Sequence, residues 1–372
     1  MKKIAVTMLL LGTCGILLTG CKKKEEEKVE VVPIATESVV SEEPETETET
    51  AVATKPSGIN LLTGEPMDEE TANKRPLACM LGNTVDALPQ YGIGQADVLY
   101  EVPVEGGLTR LMGIFQDYSN IEKLGSVRSC RHYFAYYAME FDAIYMHYGQ
   151  AAWAEPLLNS GVVTDFNGLD PQVDSIAFYR DSSRKAPHNA FTTSEGIQKG
   201  IEYKQFETQY KDTYLGHYTF ASEADSVKLE NGEDAAVVCP GFAVDKPWFV
   251  YHADDGKYYR FQYKQEHIDG STNEQLSFKN IIFQYSDYAM EPDDKYLDIK
   301  TTGEGSGKYI TNGKAIDITW KKADENSPAK YYDADGNEIT LNQGKTCVCI
   351  VLNDATSRVG IYATEDDFNA AQ

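Results

Sequence analysis

Leu111-Met112-Gly113-Ile114-Phe115, then Arg131 to Phe141 (RHYFAYYAMEF), then Ala143-Ile144-Tyr145-Met146 follow one another in the chain, and their order decides the fold class. The first and third are short, continuous apolar runs between polar and turn residues, the pattern of strands buried on both faces. The middle segment has helical spacing, with Tyr133, Tyr137 and Phe141 on one face. Upstream, Leu77 to Leu81 ends at Gly82-Asn83, and Val98 to Val102 forms another strand-like run. Downstream, a helix is expected over Trp153–Leu158, closing near Gly161. A further helix starts at Thr192, where Thr192 and Glu195 have capping-box spacing. Strands mixed with helices predict an α/β-type domain over residues 59–215.

The rest of the chain has a different pattern. Strand-like runs recur at Ala236–Cys239, Phe249–Tyr251, Tyr258–Phe261, Ile281–Phe283, Ala315–Trp320 and Thr346–Leu352. Turn signals separate them: Asp254-Asp255-Gly256, Asn312-Gly313 and Asp335-Gly336-Asn337. A mostly β domain is expected over residues 216–372. The folded part is long for one average core, and the fold class read from it is α+β in two domains.

The N-terminus carries an address. Lys2 and Lys3 precede an apolar run from Ile4 to Leu18 that is too short and too interrupted to favour a bilayer span. The ending Leu18-Thr19-Gly20-Cys21 resembles a bacterial lipobox, so residues 1–21 read as a lipoprotein signal peptide. Cys21 would become the lipid-bearing first residue, anchored to the cell membrane on its extracellular face. Residues 22–58 are rich in Glu, Thr and Pro and read as a solvated acidic tether. Lys22-Lys23-Lys24 at its base would add attraction to anionic headgroups. The formal net charge of −24 argues against a nucleic-acid partner.

Cys79, Cys130, Cys239, Cys347 and Cys349 follow Cys21. Five cannot all pair within one chain, and none has structural-zinc spacing. They read as buried small side chains, with a Cys79–Cys130 bridge as the alternative. Cys347 and Cys349 alternate on one expected strand and so share a face.

The chemistry is expected in the first half. Six of the eight arginines are Arg75, Arg110, Arg128, Arg131, Arg180 and Arg184. Arginine offers fixed, forked hydrogen bonding where lysine offers a point charge. Arg110 follows Glu105-Gly106-Gly107-Leu108-Thr109, and Arg128 and Arg131 stand where a helix begins, a place suited to anions. Arg110, Arg128, Arg131 and Arg184 are therefore anion-binding candidates. The competing reading pairs them with the protein's own carboxylates, Asp97, Glu101, Glu105 and Glu140.

His147, His188, Asn189 and Glu105 are candidates for a polar or catalytic site, with His188 or His147 as general base on a cell-wall polymer. Ser129 lacks a nucleophile-elbow pattern, and no P-loop occurs. As metal ligands the histidines need partners such as Asp142 or Glu155. No His-x-x-x-His pair exists, so neither metal nor cofactor is expected. Two functions stay open: a non-enzymatic lipoprotein binding an anionic ligand or protein partner, and a cell-wall hydrolase or transferase.

Taken in order, several motifs carry a resemblance. They are Tyr91 to Glu101 (YGIGQADVLYE), Glu105 to Arg110 (EGGLTR), Gly125 to Arg131 (GSVRSCR), His147-Tyr148-Gly149 and Pro187-His188-Asn189. Together they resemble the YerB-like bacterial lipoproteins from about Arg75 onward. The resemblance implies two domains of unassigned function, exported and lipid-anchored in Gram-positive bacteria, and it transfers no catalytic residue. One departure is visible: Ser126 stands where the resemblance leads one to expect proline.

Overall fold

The computed structural model describes residues 55–372. The signal segment, Cys21 and most of the expected tether lie outside them. In chain order the first half runs α1 (Glu69–Ala72), β1 (Leu77–Gly82), β2 (Val98–Pro103), β3 (Thr109–Phe115), β4 (Leu124–Gly125), α2 (His132–Met139), β5 (Ile144–His147), α3 (Glu155–Asn159), β6 (Asp165–Asn167), α4 (Pro171–Ala177), β7 (Tyr179–Arg180), β8 (Ala190–Thr192) and α5 (Ser194–Lys204). The second half begins with β9 (Glu233–Asp234), β10 (Val237–Cys239), β11 (Trp248–His252), β12 (Lys257–Gln262), β13 (Gln265–Glu266), β14 (Ser277–Phe278) and β15 (Asn280–Ser286). It ends with β16 (Tyr288–Met290), β17 (Leu297–Ile299), β18 (Gly303–Thr311), β19 (Lys314–Lys322), β20 (Lys330–Tyr332), β21 (Thr346–Leu352), β22 (Gly360–Tyr362) and α6 (Glu365–Ala370). The class is α+β, with helices concentrated in the first half and strands in the second.

One sheet runs through both halves, in the order β20-β19-β18-β15-β21-β2-β3-β1-β5-β6, with β9 paired to β19. Its middle is the parallel pairing of β2 with β21, where Leu99 faces Cys347 and Glu101 faces Cys349. The two halves expected from the sequence therefore share a sheet. A smaller sheet, β13-β12-β11-β10-β22, belongs wholly to the second half.

The large sheet is covered on both faces, which is why its central strands read as unbroken apolar runs. One face carries Leu77, Leu99, Phe115, Phe283 and Cys349, packed against Phe249 and Tyr258 of the small sheet and Ile197 and Ile201 of α5. The other carries Tyr100, Met112, Ile114, Tyr145 and Val348, packed against Tyr133, Tyr137 and Phe141. Tyr137 stacks on Tyr100 with ring centroids 5.1 Å apart. The three aromatics expected on one face of the helix are all buried, each worth roughly 1.5–3 kcal/mol of transfer free energy.

Some expectations need correction. The cap of α5 is Thr193, whose side chain accepts from the Gly196 amide. Thr192 instead turns inward and donates to the Ala177 carbonyl at 2.6 Å. Trp153 sits in a 3-10 turn before α3, not within it. All five cysteines of the described residues are free thiols, so Cys79 and Cys130 are not bridged. Cys347 and Cys349 do share a face, with sulfurs 4.0 Å apart.

Candidate functional site

Arg110 stands on β3, opposite Gly82 of β1 and Val102 of β2. Arg128 lies in the segment between β4 and α2. Its amide donates to the Met80 carbonyl at 2.9 Å, fixing it beside the end of β1. Gly82 makes this approach feasible: a Cβ there would meet Arg128 Cγ at 3.2 Å and Ser126 Oγ at 3.3 Å. Arg131 is the N-cap residue of α2. A strand, a connecting segment and a helix cap thus deliver three guanidinium groups to one place.

Their charges act on one another. Burial lowers the Arg110 pKa to about 10, and Arg131 and then Arg128 push it the same way. The Arg128 pKa is also lowered, by burial and then by Arg131. All three stay cationic at neutral pH.

Four carboxylates were candidate partners, and only one faces this group. Glu105 makes a fork with Arg131: Nε donates to Oε1 at 2.9 Å and Nη2 to Oε2 at 2.5 Å. Glu101 pairs with Arg260 and Glu140 with Lys322. Asp97 accepts from the Gln116 amide and Asn60. Arg110 donates to the Ser129 carbonyl. Arg128 donates to the Pro187 carbonyl at 2.9 Å and lies 3.4 Å from His188 Nδ1. Among the described residues, neither Arg110 nor Arg128 forms an ion pair. Beside them Ser126 Oγ is buried with no hydrogen-bond partner.

The other candidates fall at varying distances from this group. His188 touches it through Arg128, and its pKa is lowered by burial first and by Arg128 next. Arg184 donates to the carbonyls of Ala87 and Pro89 at 2.9 and 2.8 Å, so its guanidinium ties two loops together. The Asn189 side chain turns to Arg180 at 3.1 Å. His147 is fully buried at the end of β5. Its Nδ1 meets the Gly149 carbonyl at 2.9 Å and its Nε2 meets Asp165 at 3.1 Å. With both ring nitrogens engaged, His147 has none left to serve as a base. Among the described residues neither histidine pairs with Asp142 or Glu155; Asp142 pairs with Arg75 and Lys211, and Glu155 accepts from Gln150. Cys130 is buried and its thiol is pushed up to about 12, so it offers no thiolate.

Sequence reasoning missed a second polar cluster, at the junction of the halves. Arg260, fully buried, donates Nη2 to Glu101 Oε2 at 2.7 Å. Thr109 and Asn83 donate to Glu101 Oε1 at 2.8 and 3.1 Å, and Asn83 also reaches Asp245 at 3.2 Å. Arg260 also contacts His267 Nδ1, and His267 Nε2 lies 2.8 Å from Gln90. Burial, then the neighbouring Glu101, raises the Asp245 pKa to about 9, so this carboxyl holds its proton at neutral pH. The only sequence signal was the isolation of Arg260 among lysines.

Residues 62–207 match the family model described as "Protein of unknown function (DUF3048) N-terminal domain", and residues 238–348 match its C-terminal domain. The chain is 30% identical over 303 residues to YerB of Bacillus subtilis (strain 168), a protein whose name describes it as a lipoprotein. The match covers 80% of this chain and 87% of YerB. This chain belongs to the YerB-like family. The crystal structure of Bacillus subtilis YerB matches the present fold with a TM-score of 0.72 at 28% identity, over 82% of this chain and 99% of that one. The YerB-like family description assigns no activity, so function has to be argued from the site.

Proposed function

We propose that this YerB-like protein is a lipoprotein of the cell envelope, anchored through Cys21 on the outer face of the membrane. It binds an anionic ligand through Arg110, Arg128 and Arg131. The observation that carries the binding reading is the charge balance: three adjacent guanidinium groups face a single carboxylate, Glu105. Clustering like charges in a partly buried place is unfavourable unless an anion compensates them. Two surplus positive charges match a phosphoryl dianion, and the forked donors of arginine suit its oxygens. The unpartnered Ser126 hydroxyl adds a neutral donor beside Arg128.

The anchor rests on the lipobox and on the lipoprotein name of the Bacillus subtilis relative. Cys21→Ala should abolish acyl labelling and release the protein from the membrane fraction or leave it unprocessed. Unchanged acyl labelling would refute the anchor. Binding is tested by titrating the purified protein with inorganic pyrophosphate and, separately, acetate. Saturable pyrophosphate binding is expected, weakened tenfold or more by Arg128→Lys. Equal binding by wild type and variant, or none by either, would refute the arginine site.

A further inference from the structure

We propose that His132, Glu291 and Asp298 form a binding site for a divalent transition-metal ion, with an oxygen- and nitrogen-preferring ion such as Zn²⁺ as the chemical class. None of the three was singled out by the motifs above. His132 is the first residue of α2, Glu291 follows β16, and Asp298 is the middle residue of β17. His132 Nε2 lies 2.9 Å from Asp298 Oδ1, and Nδ1 lies 3.7 Å from Glu291 Oε1. One ligand atom from each residue falls within 4.8 Å of the other two.

Two ligands that each hold zinc tetrahedrally at about 2.0–2.2 Å stand roughly 3.3–3.6 Å apart. The His132–Asp298 pair, at 2.9 Å, opens by roughly half an ångström to reach that spacing. Glu291 lies 3.7 Å away on the Nδ1 side of the ring, is not held there by a hydrogen bond, and reaches an ion shared by Nε2 and Asp298 by turning its side chain. One imidazole and two carboxylates form a set that suits zinc and its neighbours, whereas calcium takes six to eight oxygens.

Two further features support the site. The His132 and Glu291 side chains are 12% and 13% exposed and so partly held in place, while Asp298 is 52% exposed. His132 is flanked by the rings of Tyr133 and Tyr136, at 5.2 and 6.2 Å. The site also opens into a cavity of about 700 Å³ whose wall carries the further carboxylates Asp287 and Glu325 and one cation, Lys300. That space admits water to complete the coordination shell. Bound there, the metal would clamp the start of α2, in the first half, to the β16–β17 hairpin, in the second.

The test is calorimetric titration of the full-length, tag-free, metal-stripped protein with ZnCl₂ and, separately, CaCl₂. One equivalent of Zn²⁺ should bind, with at least tenfold weaker affinity in Asp298→Asn and in Glu291→Gln, while Arg128→Lys binds as wild type does. Circular dichroism of each variant shows that the fold is retained. Three results would overturn the proposal: no saturable zinc binding, zinc binding unchanged in a Glu291→Gln/Asp298→Asn double variant, or calcium bound as tightly as zinc. The first, combined with a lower melting temperature for Asp298→Asn without metal, would identify His132 as an imidazolium bridging two carboxylates.

Discussion

Arg260 and the group of Arg110, Arg128 and Arg131 use the same side chain under different charge balances. Arg260 is one guanidinium beside two carboxyls, Glu101 and Asp245, with every one of these side chains buried. The other group is three guanidiniums beside one carboxylate, with Glu105 24% exposed. A buried arginine matched by its own protein's carboxylate, as Arg260 is by Glu101, is a structural element, since removing either partner strands a charge. Arginines that outnumber their carboxylates leave positive charge that an outside anion would compensate, as proposed for this group. The contrast puts the carboxylate-lattice reading at Arg260 and leaves the ligand reading, as proposed, to the group of three.

The largest effect is expected at the junction. Arg260→Met leaves Glu101 buried and uncompensated and should cost about 3–5 kcal/mol, read as a lowered midpoint in urea unfolding. A loss below about 1 kcal/mol would place Arg260 with the surface pairs and erase the contrast.

Asp245 supplies the pH signature of the same region. Its folded pKa is raised to about 9, above the usual carboxyl value. The folded state therefore keeps a proton that the unfolded chain releases above about pH 4. This contribution to stability is full below that pH and is lost as pH rises through about 9. His267 has its pKa held well below the ordinary value by burial, then by Arg260, so its own linkage appears on the acid side. Between pH 7 and 9, wild type should lose stability with rising pH more steeply than Asp245→Asn. Parallel melting curves for the two proteins would contradict a protonated Asp245.

Arg131→Met tests the one matched member of the arginine group. It removes the fork to a partly exposed carboxylate and should cost about 1–2 kcal/mol, less than Arg260→Met.

The sequence made the fold legible where strands were buried on both faces. β1, β2, β3, β5 and β21 were readable as apolar runs, and α2 as an aromatic stripe. β18, Gly303–Thr311, was hidden because its glycines look like loop. Gly305 is required there, since a Cβ would stand 2.5 Å from Trp320 Nε1 and 2.9 Å from the Tyr285 carbonyl. α4 was missed although Asp170 caps it and Pro171 opens it. The shared sheet was out of reach, because pairing β2 with β21 depends on contacts some 250 residues apart. The concentration of the scarce arginines in the first half pointed to Arg110, Arg128 and Arg131 as one group, but their charge balance was not legible in sequence. Glu101 and Glu105 lie four residues apart in sequence, yet one serves Arg260 and the other Arg131.

The most direct test is the melting temperature of wild type and Arg128→Lys, each with and without inorganic pyrophosphate. Arg128 has no carboxylate partner among the described residues, so without the anion the two proteins should match to within about 0.5 kcal/mol of stability. Adding pyrophosphate should raise the wild-type melting temperature by ligand linkage and leave that of Arg128→Lys nearly unchanged. A variant that melts well below wild type without anion, with an equal pyrophosphate response in both proteins, would make Arg128 structural like Arg260 and contradict the ligand reading.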